Sequence, residues 1–158
     1  IIYGCMDEGA INYNTNATKP DRSCIYGKVI TTIEFGDFDK TNSIVPIIVN
    51  NNEVIAGFQI KISGAEIENA FGGIAEEAGF TMSTGKNELC PNCGTGTVIG
   101  FSLEGNITPQ GGDQILINLE LKDNIIINSQ VCVDEIILSA PNADRIQVDD
   151  SAPICFNP

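Results

Sequence analysis

The chain has 158 residues, enough for one β-sandwich with a full core and a small appended module, but too few for two large domains. Lys and Arg number 8 against 21 Asp and Glu, and the resulting net charge of -13 argues against any phosphate-backbone partner, so nucleic acid is not an expected ligand. Histidine is absent, which removes the commonest general base and metal ligand, whereas six cysteines point to as many as three disulfides and an oxidising compartment.

Residues 1–26 are crowded with Asn, Asp, Gly and Thr between two cysteines and read as a small loop-rich cap. Residues 27–158 read as the main domain. The chain begins with the apolar Ile1-Ile2-Tyr3 and not with Met, as a processed form or a piece of a longer protein would. Period-2 alternation then predicts strands in order. Val29, Thr31, Ile33 and Phe35 form the first, and Ile44 to Val49 the second, where Pro46 suggests an edge or a bulge. In the third, Val54, Ala56, Phe58, Ile60 and Ile62 face the core and alternate with Ile55, Gly57, Gln59, Lys61 and Ser63. Ile67 to Ala78 has room for a helical turn or two, cut short by Gly72-Gly73.

Further strands follow at Ile99, Phe101 and Leu103, at Ile115, Ile117, Leu119 and Leu121, at Ile125 to Ile127 and at Val131 to Leu138. The last changes parity between Val133 and Ile136, as a bulge requires. Turn formers are read at Asn50-Asn51-Asn52, Gly72-Gly73, Thr95-Gly96 and Gly111-Gly112-Asp113. The expected architecture is an all-β, two-sheet β-sandwich with Phe58, Ile60, Phe101, Ile117 and Leu119 in one shared core. No apolar run approaches the roughly 20 residues that span a bilayer, so membrane insertion is not expected.

The stretch from Gly4 and Cys5 through Asp7, Ala10, Asn12-Tyr13 and Ala17 to Ser23-Cys24 resembles a short Cys-flanked module, G-C-x-D-x-x-A-x-N-Y-x-x-x-A, of secreted and viral marine proteins. The resemblance implies a Cys5–Cys24 disulfide and a loop-stapling or calcium-binding set of Asp7, Asn12, Asn14, Asn16 and Asp21. Near the second cysteine the usual Asp-Asp-Gly is replaced by Pro20-Asp21-Arg22, which exchanges a carboxylate for a cation and weakens the calcium set. Asx side chains also staple their own turns without any metal.

Cys90-Pro91-Asn92-Cys93 reads as a disulfide-pinned loop tip. The competing readings are a zinc site that would need Cys132 and Cys155 as its other ligands, and a thioredoxin-like redox pair, which would be expected at a helix N-terminus after a strand. Beyond Cys5 with Cys24 the connectivity is open, since six cysteines allow about 15 pairings.

The run Val54-Ile55-Ala56-Gly57-Phe58-Gln59-Ile60, with Gly72-Gly73, Ala78-Gly79-Phe80, Val98-Ile99-Gly100-Phe101-Ser102-Leu103 and Ile107-Thr108-Pro109, resembles the cohesin-like jelly-roll from Val29 to about Ser139. That resemblance implies a module for protein contacts or assembly, which the absence of histidine, the cysteines and the Cys-flanked stretch make a non-enzymatic one, extracellular, on a cell surface or on a virus particle, with a carbohydrate-binding module as the alternative. Its partners would be other proteins, copies of itself or surface glycans. The apolar ends, Ile1, Ile2 and Tyr3 with Ile154 and Phe156, suit strand pairing between copies in a filament.

The acid pairs Glu76-Glu77, Glu66 with Glu68, and Asp149-Asp150 lack aromatic neighbours for a sugar platform, and read as solvated surface. No cofactor is called for apart from calcium. Asn16-Ala17-Thr18 and Asn106-Ile107-Thr108 are glycan acceptors in a host with the machinery.

Overall fold

A computed structural model describes residues 1–8, 10, 12–25, 31–51, 53–85, 94–109, 111–122 and 130–158. Chain order gives β1 (Tyr3–Gly4), β2 (Lys19–Pro20), β3 (Thr32–Phe35), β4 (Ile44–Asn51), β5 (Gly57–Ser63), β6 (Ile67–Phe71), α1 (Gly73–Glu77), β7 (Thr81–Gly85), β8 (Thr95–Phe101), β9 (Gly111–Leu121), β10 (Val131–Ser139), β11 (Arg145–Ile146) and β12 (Cys155–Phe156). One sheet runs β11-β10-β5-β8-β7, with β12 also on β10, and the other runs β3-β4-β9-β6. Their inner faces enclose one apolar core, so the fold is the all-β two-sheet sandwich that the alternation predicts. A separate parallel pair, β1 with β2, belongs to the cap.

Pattern and packing agree where β-branched residues alternate. Phe58, Ile60 and Ile62 point inward from β5, and Val45, Ile47 and Val49 from β4. In β9 the ladder skips a residue, because Ile47 faces Ile117 and Ile48 faces Ile115. Leu116 is therefore the extra residue of a bulge and is buried together with Ile117. The bulge expected in β10 falls between Val133 and Glu135.

Several local expectations are corrected. In β8 the inward residues are Gly96, Val98 and Gly100, while Ile99 and Phe101 face out and Leu103 is 88% exposed. Volume decides this: a Cβ on Gly100 would stand 2.2 Å from the Phe58 ring, and one on Gly96 2.8 Å from Ile67, so large side chains of the partner sheet and strand occupy that space. Thr95-Gly96 and Gly111-Gly112-Asp113 lie within strands and not in turns. Before β5 it is Ile55, not Val54 or Ala56, that is fully buried. Pro46 lies on a strand paired on both sides, one residue from a register shift, and not on an edge. Residues 67–71 are a strand, and only Gly73–Glu77 is helical. Gly73 has φ 66°, and a Cβ there would meet the Leu116 carbonyl oxygen at 2.3 Å, so only glycine lets the turn sit on β9. The strands expected around Val29 and at 125–127 have those residues outside the described ones.

The C-terminal segment closes the open side of the sandwich. After β11 pairs with one end of β10, the Asp149 N–H donates to the Thr31 carbonyl at 2.9 Å, and β12 then returns to the other end of β10. Phe156 packs edge-on against Phe35 at 4.7 Å between ring centroids and lies 5.3 Å from Phe38. Residues of both sheets thus share one aromatic cluster.

Candidate interaction surfaces

The outer face of the larger sheet is the first candidate. Register sets Ile137, Gln59, Ile99 and Ser83 in one row, and Ser139, Gly57, Phe101 and Thr81 in the next. Strand alternation carries all eight to the side away from the core. Ile99 is 40% exposed and Phe101 37%. Beside them Lys61 and Glu135 form an exposed ion pair at 3.3 Å. Next along the chain, the Gly105 N–H donates to the Ser102 carbonyl, and the Asn106 N–H donates to Ser102 Oγ at 3.0 Å, so a hydrogen-bonded turn presents Leu103. An apolar centre with a charged and polar border is the usual anatomy of a protein-binding patch. Sequence reasoning placed Phe101, with Ile99 and Leu103, on the core side because they alternate, whereas it had Gly57, Gln59 and Lys61 on the wet side as found. The signal that separates them is the glycine parity of β8, where Gly96 and Gly100 take the inner positions opposite bulky partners.

The cap is the second. Cys5 and Cys24 are joined, and Cys5 is buried. Asn12 Nδ2 donates to the Ser23 carbonyl at 2.8 Å, and its Oδ1 accepts from the Ile25 N–H at 2.7 Å. Asn14 Oδ1 accepts from the Asn16 N–H at 3.0 Å, and Asp21 Oδ1 from the Ser23 N–H at 2.9 Å. Hydrogen bonds from the Ser23 side chain and backbone hold the Asp21 carboxyl below its ordinary range. Three of the five residues in the calcium set therefore spend Oδ1 on a backbone N–H, the arrangement of turn stapling. The Asp7 carbonyl accepts from the Ala10 N–H at 3.1 Å, and Asn16 is exposed. Among the described residues no group of three or more His, Cys, Asp or Glu is placed to hold a metal ion.

A type II cohesin domain from the cellulosome of Acetivibrio cellulolyticus superposes on this architecture with TM-score 0.54 and 14% identity, covering 81% of this chain and 95% of that one. A non-cellulosomal cohesin from the hyperthermophilic archaeon Archaeoglobus fulgidus gives TM-score 0.52 and 14% identity over 76% and 85%. The sandwich is cohesin-like. At these identities the likeness is one of fold. No protein-family model and no curated protein matches the sequence.

Within the cohesin-like sandwich at least one acid of each pair has a structural partner, and Glu66, expected in solvent, is buried. Lys122 Nζ lies 3.5 Å from the buried Glu66 and 3.8 Å from Glu68. Glu76 accepts from the Gly72 N–H at 2.6 Å, and Asp149 from the Ser151 N–H at 3.0 Å. Cys132 and Cys155 are disulfide-bonded to each other across β10 and β12, so neither serves as the zinc ligand envisaged with Cys90 and Cys93, which lie outside the described residues. Among the described residues no cysteine is free, and no helix is long and apolar enough to cross a membrane.

Both chain ends are engaged within their own chain. The Ile2 carbonyl accepts from the Thr18 and Lys19 N–H groups, and the Ile154 carbonyl from the Val133 N–H at 2.9 Å. Asn106 is half-buried, and Thr108 of its sequon is fully buried with Oγ1 accepting from the Ile55 N–H.

Proposed function

We propose that the chain is a non-enzymatic, extracellular assembly module that binds a protein partner through the outer face of the larger sheet. The observation that carries this reading is the side-by-side exposure of Ile99 and Phe101, with Leu103 beyond them on a hydrogen-bonded turn. Water gains nothing by wetting these groups, and covering the two-fifths of Ile99 and Phe101 that stand exposed returns about 0.5–1 kcal/mol each. The disulfides support an oxidising compartment, either secreted or at a cell or virion surface. Absence of histidine and the structural employment of the acid pairs support a binding role over catalysis.

The test compares wild type, Ile99→Asp and Ile115→Asp as immobilised baits for proteins secreted by the source organism. Ile115 is equally exposed on the opposite sheet. A partner held by wild type and by Ile115→Asp but lost from Ile99→Asp supports the reading. Equal capture by all three removes the outer face from it.

A further inference from the structure

We infer that the outer edge of β3 is a strand-addition site, which takes an extended, basic segment of another protein as a further strand of the smaller sheet. β3 ends that sheet, with β4 as its neighbour. The Gly36 N–H donates to the Pro46 carbonyl at 2.8 Å, so in the same register Glu34 and Thr32 also turn their backbone groups toward β4. The alternate residues, Thr31, Ile33 and Phe35, turn theirs the other way. Along that outward row Thr31 bridges in parallel to Val148, and its carbonyl accepts from the Asp149 N–H at 2.9 Å. Ile33 and Phe35 have no backbone partner on that side among the described residues.

The chain's own C-terminal segment is barred from filling this edge. A parallel ladder begun by the Asp149 N–H would take its next donors from Ser151 and then Pro153. The Ser151 N–H is spent on Asp149 Oδ1 at 3.0 Å, and proline has no N–H to give. The segment therefore leaves β3 and pairs with β10 through β12, and a groove of about 320 Å³ stays open between β3 and the wall made by Asp149 and residues 151–155. Among the described residues Ser151, Ala152 and Pro153 make no backbone hydrogen bond to either sheet, so this wall can yield to a wide occupant.

The nature of the occupant follows from the two sides of the edge and from charge. An added strand lays alternate side chains beside Ile33 and Phe35, which face the apolar interior, and the others beside the exposed Thr32 and Glu34. Glu34 and Asp149 are the charged residues of the groove, and no base lines it. Hydrogen bonds from the Ser151 side chain and backbone hold the Asp149 carboxyl below its ordinary range, so it stays ionised. A segment that alternates apolar residues with Lys or Arg matches both sides, whereas a second copy of a chain with net charge -13 is repelled. Main-chain hydrogen bonds to Ile33 and Phe35 supply the affinity of such a contact, and the alternate side chains its selectivity.

The test titrates the full chain with a short acetylated, amidated peptide of alternating Val and Lys, followed by calorimetry and by amide hydrogen exchange, with circular dichroism to verify that each variant folds. Saturating peptide should slow exchange at the Ile33 and Phe35 amides at least about ten-fold. Affinity should fall at least about ten-fold in Glu34→Lys and stay unchanged in Ile99→Asp. The same peptide N-methylated throughout keeps its charge but donates no backbone hydrogen bond, and should not bind. Absence of binding overturns the inference, and so does equal binding of the N-methylated peptide, which would reduce the contact to charge attraction. Equal binding of a Val and Glu peptide overturns the basic occupant. Slowed Ile33 and Phe35 amides on concentrating the chain alone would assign the edge to a second copy and overturn it as well. None of these outcomes bears on whether the outer face of the larger sheet binds a protein partner.

Discussion

Gly100 takes an inner position of β8 directly beside Phe58. Its missing side chain is the space that the Phe58 ring fills, and Phe58 in turn stacks on Phe80 with centroids 6.2 Å apart. Gly100→Ala therefore forces a methyl into an occupied volume on a central strand. It is expected to cost about 1–3 kcal/mol by overpacking. Phe58→Ala leaves a cavity and is expected to cost about 3–5 kcal/mol. Phe101→Ala, on the wet face, should stay within about 1 kcal/mol, near the range of surface substitutions. Urea denaturation of the three variants checks the ranking, and a Phe101→Ala loss equal to that of Phe58→Ala would reverse the facing assigned to β8. A hydrophobicity pattern cannot see this, because Ile99-Phe101-Leu103 alternates as well as Phe58-Ile60-Ile62 does. Only the volume each position must fill tells them apart, and that volume belongs to residues some forty positions away.

At the scale of elements, what sequence makes legible is what depends on near neighbours. β5 is read from the alternation of Phe58, Ile60 and Ile62, though its extension back to Val54 and Ala56 fails, and the β10 bulge is read from one parity change between Val133 and Ile136. The single turn of α1 follows from paired glycines. What escapes is long-range closure. The segment from Arg145 to Phe156 has no clear period, yet it covers both ends of the β10 edge and reaches Thr31 between them. Uncovered, that edge would present unpaired backbone groups to any passing strand. β12 itself contributes two paired residues, so the Cys132–Cys155 bond is the main restraint holding it in place. Replacing both cysteines by Ser should lower stability by roughly 3 kcal/mol on the chain-entropy model. The amide of Val133, bonded to the Ile154 carbonyl, should then exchange far faster than that of Ile60 in the sandwich centre. Hydrogen exchange measures both amides in one sample, and unchanged protection at Val133 would mean that the aromatic cluster alone retains the tail.

Across the whole molecule, the Cys5–Cys24 segment and the sandwich are stabilised by different physics. Twenty-two hydrophobic residues are buried in the sandwich core, whereas Cys5 and Ala10 are the buried hydrophobic residues described in the cap. Burial at about 25 cal/mol per Å² can hold the first without help and cannot hold the second against the entropy of ordering some 25 residues, roughly 1–2 kcal/mol each. The cap therefore depends on the Cys5–Cys24 bond and on the side-chain staples of Asn12, Asn14 and Asp21. A strong dithiol reductant should collapse its protection, so that amides of Asn14, Ala17 and Ile25 exchange at unfolded rates while those of Ile47, Ile60 and Leu119 stay slow. A calcium chelator without reductant should leave both sets unchanged, because the Oδ1 atoms of those three residues are already committed to backbone N–H groups. The two treatments separate the alternatives cleanly. Loosening of the cap by the chelator alone would mean that a cation, and not the Asx turns, organises its loops. Survival of the cap in reductant would mean that its hydrogen bonds suffice without the disulfide.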